Sequence, residues 1–301
     1  MPTRRQALAL TALGLAALPL LPRRGWAQHS LDLGGWRLDT LSDGHLTLPA
    51  SFAFGDLPED MVRETIARHD LPEGGLTPPC NVTLLRNGGR TVLIDAGAGP
   101  DFMASTGRLI EALDALGLAP EDITDLVITH GHPDHLWGII DDFDESTFPE
   151  AAIRMGRAEH AYWSDPATAE TIGEDRASFF AGASRRLALL PEITLFDDGD
   201  EILPGVTARL TPGHTPGHMA FELAGERPVL IAGDSIGNHH LAFDRPDQPL
   251  PSDQDPATAA KTRTALLREL AEREAVLVGF HLPGGGIGRV QPRADGFAFV
   301  P

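Results

Sequence analysis

Three histidines and one aspartate crowd residues 130–135, directly after a short apolar run. Burying so many imidazole and carboxylate groups at the end of a strand costs free energy unless they bind something together. His130 and His132, two positions apart, can direct their rings at one metal ion, and Asp134 and His135 can reach a second one. Zinc accepts imidazole nitrogen and carboxylate oxygen as ligands and keeps a position open for water. The segment therefore predicts a zinc-type site.

Three single residues elsewhere extend this set of ligand types. His214 lies in a turn rich in proline and glycine, Asp234 follows an apolar run and a glycine, and His281 follows another apolar run. Cys80 is the only cysteine, so neither an intramolecular disulfide nor a cysteine-rich metal site can form. Any metal must therefore be held by histidine and carboxylate, and we expect two divalent ions, with zinc as the first choice.

Composition narrows the classes of function. Acidic residues outnumber basic ones by 43 to 24, which gives a net charge of −19. Because binding to nucleic acid or to anionic membranes depends on clustered lysine and arginine, these partners are disfavoured. Hydrophobic residues make up 42% of the chain, enough for a large core, which excludes disordered, collagen-like and coiled-coil proteins. A small-molecule substrate is the expected partner, and an oligomer is left open.

The N-terminal residues have the layout of an export signal. Arg4 and Arg5 precede an apolar run over residues 7–21, and small residues stand at positions 25 and 27, where a signal peptidase would cut. The arginine pair resembles a twin-arginine signal. A membrane anchor is the weaker alternative, because the apolar run is shorter than the roughly 20 residues of a span. We therefore predict a signal over residues 1–27, a domain over 28–301, a periplasmic location and no stable membrane insertion after signal removal.

Alternation and turn residues predict the secondary structure of this domain. The clearest element is a hairpin of strands 82–85 and 91–94 around Asn87-Gly88-Gly89, and a second hairpin is predicted over 36–48 around a turn at 42–45. Apolar spacing of three to four residues predicts helices, and continuous apolar runs predict buried strands. The predicted helices are 108–116, 158–163, 177–190 and 258–272, and the predicted strands are 125–129, 193–196, 206–210, 219–223, 228–232 and 275–280.

The order of these motifs resembles the metallo-β-lactamase superfamily over nearly all of residues 28–301. The resemblance rests on His-x-His-x-Asp-His at 130–135, two Gly-His turns at 211–218, Gly-Asp at 233–234 and the late His281. It implies an α+β fold, a four-layer α-β-β-α sandwich with the site at one edge, where strand-end loops meet. It also implies one ion held by His130, His132 and His214, a second held by Asp134, His135 and His281, and Asp234 as the bridge.

The activity that this resemblance implies is hydrolysis with two metal ions. Ions about 3.5–4 Å apart polarise a substrate oxygen and lower the pKa of a shared water toward roughly 7, so a bridging hydroxide attacks at neutral pH. Asp134 and Asp234 are the expected catalytic residues, because both orient this hydroxide. The expected substrate is a lactone, a carboxylic ester or a phosphotriester.

Three alternatives stay open on the sequence alone. A β-lactamase fits the export signal and the zinc-type site, although true β-lactamases usually carry Cys or Ser where Asp234 stands. A di-iron redox protein uses similar ligands, and the lack of a flavin domain in this sequence counts against it. A non-catalytic periplasmic metal-binding protein would keep the same fold, but the intact ligand set disfavours it.

A narrower resemblance connects the chain to the methyl parathion hydrolase-like branch and its lactone- and ester-cleaving relatives. It rests on residues 255–263 and 281–288. Where that branch carries bulky residues after the late His-x-Pro, this chain has Gly284-Gly285. We therefore expect a roomier pocket that prefers lactones or esters with extended acyl parts over compact aryl phosphotriesters. The loop 51–56, with Phe52 and Phe54, is a candidate for refilling that space.

Further polar residues each have two interpretations. Asp95 and Gly97 resemble the family's loop in which a carboxylate braces a ligand histidine, and a plain turn at a strand end is the alternative. For His218 a structural role in its turn is favoured. We expect His160 to be an ordinary helix residue, and His239 and His240 to lie in a loop or at the pocket rim. For Tyr162, packing in the core is favoured over a hydrogen bond to a substrate oxygen. Cys80 is expected to be a buried small residue.

Overall fold

The structure, a computed structural model, describes residues 27–225 and 227–301, so nearly all of the predicted export signal lies outside the described residues. The strands are β1 (Ala27–Asp32), β2 (Arg37–His45), β3 (Leu48–Pro49), β4 (Gly75–Leu76), β5 (Pro79–Asn87), β6 (Arg90–Ile94), β7 (Asp125–Ile128), β8 (Ala152–Gly156), β9 (Thr194–Phe196), β10 (Glu201–Leu203), β11 (Val206–Leu210), β12 (Met219–Leu223), β13 (Val229–Ile231), β14 (Val276–Val278), β15 (Ile287–Arg293) and β16 (Gly296–Val300).

The α-helices of the described residues are α1 (Ala50–Phe54), α2 (Glu59–His69), α3 (Leu109–Ala115), α4 (Pro133–Leu136), α5 (Arg157–Ser164), α6 (Pro166–Thr171), α7 (Ala177–Leu189), α8 (Leu241–Asp244) and α9 (Pro256–Glu272). Short 3₁₀ helices lie at Pro120–Asp122, Trp137–Ile139, Glu174–Arg176 and Gly284–Gly286. None of these described helices is both long and apolar enough to cross a membrane.

The strands form two seven-stranded sheets and one small pair. The first sheet has the order β1-β2-β5-β6-β7-β8-β9, the second runs from β10 to β16 in sequence order, and β3 pairs with β4. In the first sheet β6, β7, β8 and β9 are parallel, and in the second sheet β13 and β14 are parallel. Because parallel strands end at the same edge of a sheet, the residues that follow β6 and β7, and those that follow β13 and β14, emerge side by side.

Three hydrophobic cores define the layers. Along β7, Val127 faces a core between the two sheets, whereas Leu126 and Ile128 face a core between the first sheet and helices α3 and α7. Along β13, Leu230 faces a third core, in which the second sheet packs against α9. This alternation follows from the period-two geometry of strands that are covered on both faces. The layers run helix, sheet, sheet, helix, which confirms the predicted four-layer α+β sandwich.

Most of the predicted elements are present. The hairpin of β5 and β6 pairs Asn87 with Arg90 across two glycines, as predicted. The predicted helices and buried strands also appear, and their ends differ from the prediction by at most two residues. The elements that sequence reasoning missed include α2, β8 and β15, whose apolar residues are interrupted by charged or turn-forming ones, and β16.

The predicted hairpin over residues 36–48 is wrong. β2 continues through the predicted turn, with β1 on one side and β5 on the other, and its register shifts after Ser42. Gly44 has a φ of 101°, and a Cβ there would lie 2.1 Å from the carbonyl oxygen of Ser105, so only glycine fits this bulge. The buried Asp43 carboxylate fastens the neighbouring loops, since it accepts hydrogen bonds at 2.8–3.3 Å from the backbone N–H groups of Ala98, Gly107 and Leu109.

Candidate metal centre

The seven side chains predicted as ligands converge at one edge of the sandwich. The loops after β7, β11, β13 and β14 supply them, and none of the seven residues is more than 9% exposed. They are His130, His132, Asp134 and His135 from the first sheet, and His214, Asp234 and His281 from the second.

The ligand atoms form two neighbouring groups. One nitrogen from each of His130, His132 and His214 lies within 4.8 Å of the other two, and His132 Nδ1 is 2.9 Å from His214 Nε2. In the second group, Asp134 Oδ2 lies 3.2 Å from His281 Nε2 and 3.5 Å from His135 Nε2.

Asp234 lies between these two groups. Its Oδ2 is 3.4 Å from His214 Nε2 and 3.2 Å from His281 Nε2, and its Oδ1 is 3.4 Å from His135 Nε2. A single carboxylate therefore contacts imidazoles of both groups, which is the position that a bridging ligand requires. Of the three sets of side chains in the described residues whose ligand atoms lie within 4.8 Å of one another, one is the predicted first-ion set, and the ligand roles stay a prediction. The three sets are His130-His132-His214, His130-His135-Asp234 and Cys80-Asp134-His281.

Hydrogen bonds on the outer side of the centre orient three of the imidazoles. In each ring Nδ1 contacts an oxygen outside the centre, which leaves Nε2 facing inward. When Nδ1 carries the proton, Nε2 carries the lone pair that a metal ion needs. The pairs are His135 with Asp95 Oδ2 at 2.7 Å, His214 with Asp253 Oδ1 at 3.1 Å, and His281 with the carbonyl oxygen of Pro79 at 2.8 Å.

Several buried polar atoms of the centre lack hydrogen-bond partners and are of the types that bind a metal ion. Four buried atoms of the centre have no hydrogen-bond partner in the described structure, namely His130 Nε2, His135 Nε2, Asp134 Oδ2 and Asp234 Oδ1. Each such atom costs about 1–3 kcal/mol if nothing satisfies it. A divalent cation satisfies imidazole nitrogen and carboxylate oxygen together. The donor set therefore fits a metal centre.

The electrostatics separate the imidazoles into two kinds. Burial, with neighbouring groups adding to it, holds the pKa of His130 and that of His132 well below the usual value, so both rings are neutral and ready to ligate. Burial would also lower the pKa of His135, but three nearby carboxylates outweigh it and raise that pKa to about 10. Carboxylates likewise raise the pKa of His281. Binding of a metal ion by the second group would therefore be coupled to the release of protons.

Glu159 is a structural residue of the centre that sequence reasoning missed. It is fully buried at the start of α5, and its Oε1 accepts a hydrogen bond from the Gly131 backbone N–H at 2.9 Å. Its Oε2 accepts hydrogen bonds from Thr215 Oγ1 at 2.7 Å and from the Gly217 N–H at 3.0 Å. One carboxylate thus joins the loop of His130 to the loop of His214. Nothing in its local sequence distinguishes it from a surface glutamate.

A buried ion pair supports His214. Arg263, only 1% exposed, places Nη1 3.1 Å from Asp253 Oδ2, and the other carboxylate oxygen of Asp253 contacts His214. Arg263 lies in the segment 255–263 that carried the narrower resemblance, so the sequence held a signal for it. Asp253 lies just outside that segment and was missed.

Two further buried residues, His218 and Cys80, lie beside the predicted ligands. His218 Nε2 accepts a hydrogen bond from the backbone N–H of Asp234 at 3.0 Å, which holds the Asp234 backbone in place and agrees with a structural role. Cys80 lies beside Asp134 and His281, a proximity that the sequence did not indicate. Burial raises the pKa of its thiol to about 12, so this sulfur is a neutral thiol in the metal-free centre.

A cavity of about 510 Å³ opens onto the centre. His132, His214, Asp234 and His281 line its floor, and His239 and His240 line its wall, as predicted for pocket residues. Tyr162 is not among the lining residues and packs against the core beside Trp163. The remaining walls are mostly apolar and include Leu46, Leu48, Phe52, Leu76, Met103 and Phe179.

The predicted effect of Gly284-Gly285 on the pocket is wrong. Neither glycine lines the cavity, although the preceding Pro283 does. Both have positive φ, 62° and 71°, and a Cβ at Gly284 would lie 3.0 Å from Pro301. The glycines are therefore required by a left-handed turn that packs against the end of the chain. Phe52, from the loop proposed to refill the space, does line the cavity, whereas Phe54 is buried in the third core.

Residues 76–281 match the family model of the metallo-β-lactamase superfamily, and the chain belongs to this superfamily. Together with the solved relatives below, the match identifies a metal-dependent hydrolase.

Two solved structures resemble it over 91% of this chain and 96% of theirs, each with a TM-score of 0.83. One is AbOPH, described as a hydrolase in the β-lactamase superfamily, at 27% identity. The other is AidC, a dizinc quorum-quenching lactonase in complex with a homoserine product, at 25% identity.

Curated relatives cover less of the chain. An N-acyl homoserine lactonase of a Bacillus species is 30% identical over 137 residues, which are 44% of this chain and 46% of that protein. An uncharacterised protein of Mycobacterium tuberculosis is 29% identical over 175 residues, which are 55% of this chain and 70% of that protein.

Proposed function

We propose that this hydrolase holds two divalent ions, with zinc as the first choice, and cleaves lactones or carboxylic esters in preference to phosphotriesters. The observation that carries the proposal is the group of four buried, unpartnered ligand atoms at the floor of a cavity with mostly apolar walls. The names of two relatives support it, since one is described as a dizinc lactonase and another as an N-acyl homoserine lactonase.

Each side chain of the centre has a defined part in this proposal. His130, His132 and His214 would hold the first ion, Asp134, His135 and His281 would hold the second, and Asp234 would contact both. Two ions bound there would polarise the reacting carbonyl and lower the pKa of a shared water.

The protein itself fixes the geometry and limits the access of water. Asp234 sets the spacing of the two groups, and Asp95 and Asp253 keep two imidazoles in the orientation that ligation needs. The apolar cavity walls exclude water from the substrate, which strengthens every electrostatic interaction at the floor.

The cavity walls favour an extended acyl group. The lining from Leu46 to Leu76 comes from a segment that includes β3, α1 and β4 and covers the floor with apolar side chains. Each methylene buried there is worth about 0.8 kcal/mol, close to a fourfold gain in kcat/KM where the contact persists in the transition state. Compact aryl phosphotriesters leave most of this wall uncontacted.

An acyl-length series tests the proposed activity. For the metal-loaded protein we expect kcat/KM to rise by roughly tenfold or more from butanoyl to octanoyl homoserine lactone, and to exceed the value for methyl parathion. Leu76→Trp, which adds bulk to the cavity wall, should flatten the series. Leu210→Trp, at an exposed position outside the cavity, is the matched control and should not. A clear preference for the phosphotriester contradicts the proposal.

We further propose that residues 1–27 are an export signal and that residues 28–301 act in the periplasm. The mature chain should begin near Gln28. Changing Arg4 and Arg5 together to lysine should retain the precursor in the cytoplasm, because twin-arginine recognition distinguishes guanidinium from ammonium. Fractionation with N-terminal sequencing checks this, with the same change at Arg23 and Arg24 as the control. Export unaffected by the first pair would indicate the general secretion route instead.

A further inference from the structure

Arg176 is a charged residue of the cavity that the proposed chemistry does not use. It is the only lysine or arginine among the residues that line the cavity, and it immediately precedes α7. It shares this cavity with His132 and His214 of the centre. One of its Nη atoms donates a hydrogen bond to the carbonyl oxygen of Pro251 at 2.8 Å, which ties the side chain to the wall.

No carboxylate of the described residues forms an ion pair with Arg176. Two other arginines do form ion pairs: Arg186 pairs with Asp101, and Arg263 pairs with Asp253. Asp253, two residues beyond Pro251, already uses both carboxylate oxygens, one toward His214 and one toward Arg263. The Arg176 guanidinium therefore keeps N–H groups without a counter-charge.

The position of Arg176 directly before α7 makes its uncompensated charge less favourable. A cation directly before a helix meets the positive end of the helix dipole, an unfavourable position. The first turn of α7 contains no acidic residue and no side chain caps it. Phe102 and Phe179 line the same cavity, and the Arg176 side chain is partly buried among its lining residues. A bound anion would offset the unfavourable interaction with the helix dipole.

We propose that Arg176 forms an anion-binding subsite that receives a carboxylate carried by the substrate at a distance from the reacting carbonyl. The inference rests on the proposed function, because it assigns the polar end of the same substrate. A carboxylate fits better than a neutral acceptor, since guanidinium binds it through two parallel charge-assisted hydrogen bonds. The preferred substrates are then lactones or esters whose acyl part ends in an anionic group.

A matched pair of esters tests the subsite. The substrates are the 4-nitrophenyl ester of adipic acid with its second carboxylate free, and the same ester with that carboxylate replaced by a carboxamide. Both are assayed with the metal-loaded protein, with Arg176→Met and Arg176→Lys, and with Arg185→Met. Arg185 lies on α7, is half exposed, pairs with Asp144 and does not line the cavity, so its variant removes the same charge elsewhere.

We expect the unchanged protein and Arg185→Met to prefer the carboxylate ester over the carboxamide by about tenfold or more in kcat/KM. Arg176→Met should abolish that preference, chiefly through KM, and Arg176→Lys should keep part of it. Equal use of the two esters by the unchanged protein, or a preference that survives in Arg176→Met, overturns the subsite.

Binding of hexanesulfonate to the metal-loaded protein gives a readout independent of turnover, because sulfonate is a poor metal ligand. We expect calorimetry to show a dissociation constant about tenfold or more higher in Arg176→Met than in Arg185→Met. Equal constants overturn the subsite. Should neither ester be hydrolysed while sulfonate binding still depends on Arg176, the proposed function fails and the anion site stands.

Discussion

Asp234→Ala is expected to reduce kcat by about three orders of magnitude or more, with the fold retained. The carboxylate of Asp234 contacts His135 and His281 of one group and His214 of the other, so its removal would disconnect the two groups of predicted ligands. In the proposed two-metal mechanism Asp234 would set the spacing on which activation of a water depends, so its loss should affect the transition state more than substrate binding. Steady-state kinetics with the best lactone measure the loss, and circular dichroism checks the fold.

Two further substitutions serve as comparisons for Asp234→Ala. Asp253→Asn keeps the shape of a side chain that contacts His214 and Arg263 and is not itself a predicted ligand, so we expect a loss of about 10–100-fold in activity or metal affinity. His160→Ala should be nearly silent, because this residue is partly exposed on α5 and does not line the cavity. Asp234→Ala with activity close to that of the unchanged protein would mean that the two ions act independently.

Removing the metal is expected to abolish hydrolysis and to lower the melting temperature by about 10 °C. Ions present at about a thousandfold above their dissociation constant contribute about 4 kcal/mol, and each kcal/mol shifts the melting temperature of a domain of this size by about 2–4 °C. Activity assays and differential scanning calorimetry of the dialysed protein measure both effects. Added zinc should restore them.

The stability gap between metal-loaded and metal-free protein should widen as the pH rises. In the metal-free centre the folded-state pKa of His135 is raised to about 10, above its unfolded value. The stability contributed by that proton is fully present below about pH 6.5 and is lost as the pH rises toward 10, while weaker proton competition strengthens metal binding. A melting temperature that is the same with and without chelator contradicts a metal centre built from these residues.

Local patterns in the sequence were sufficient for much of the fold. The Asn87-Gly88-Gly89 turn and the apolar runs of β7, β13 and β14 specify their structure within a few residues, because turn chemistry and burial on both faces leave little choice. The convergence of His130 with Asp234 and His281 was accessible only through the family resemblance, since strands from two different sheets supply them.

What the sequence did not show depends on contacts between distant residues. Ser42-Asp43-Gly44 has the composition of a turn, yet Asp43 is buried because its oxygens meet N–H groups more than 50 positions away. Glu159 likewise becomes a buried link only because Gly131 and Gly217 bring backbone N–H groups to it. Charged residues of this kind look like surface residues in a single sequence.

Metal content measured on the purified protein tests the central claim most directly. We predict about two divalent ions per chain by elemental analysis after purification in metal-replete buffer, because the seven converging candidate ligands exceed the four that one tetrahedral ion takes. Asp234→Ala should hold fewer than the unchanged protein. A stoichiometry near zero would contradict the metal centre, and a stoichiometry of one would contradict the bridging role of Asp234.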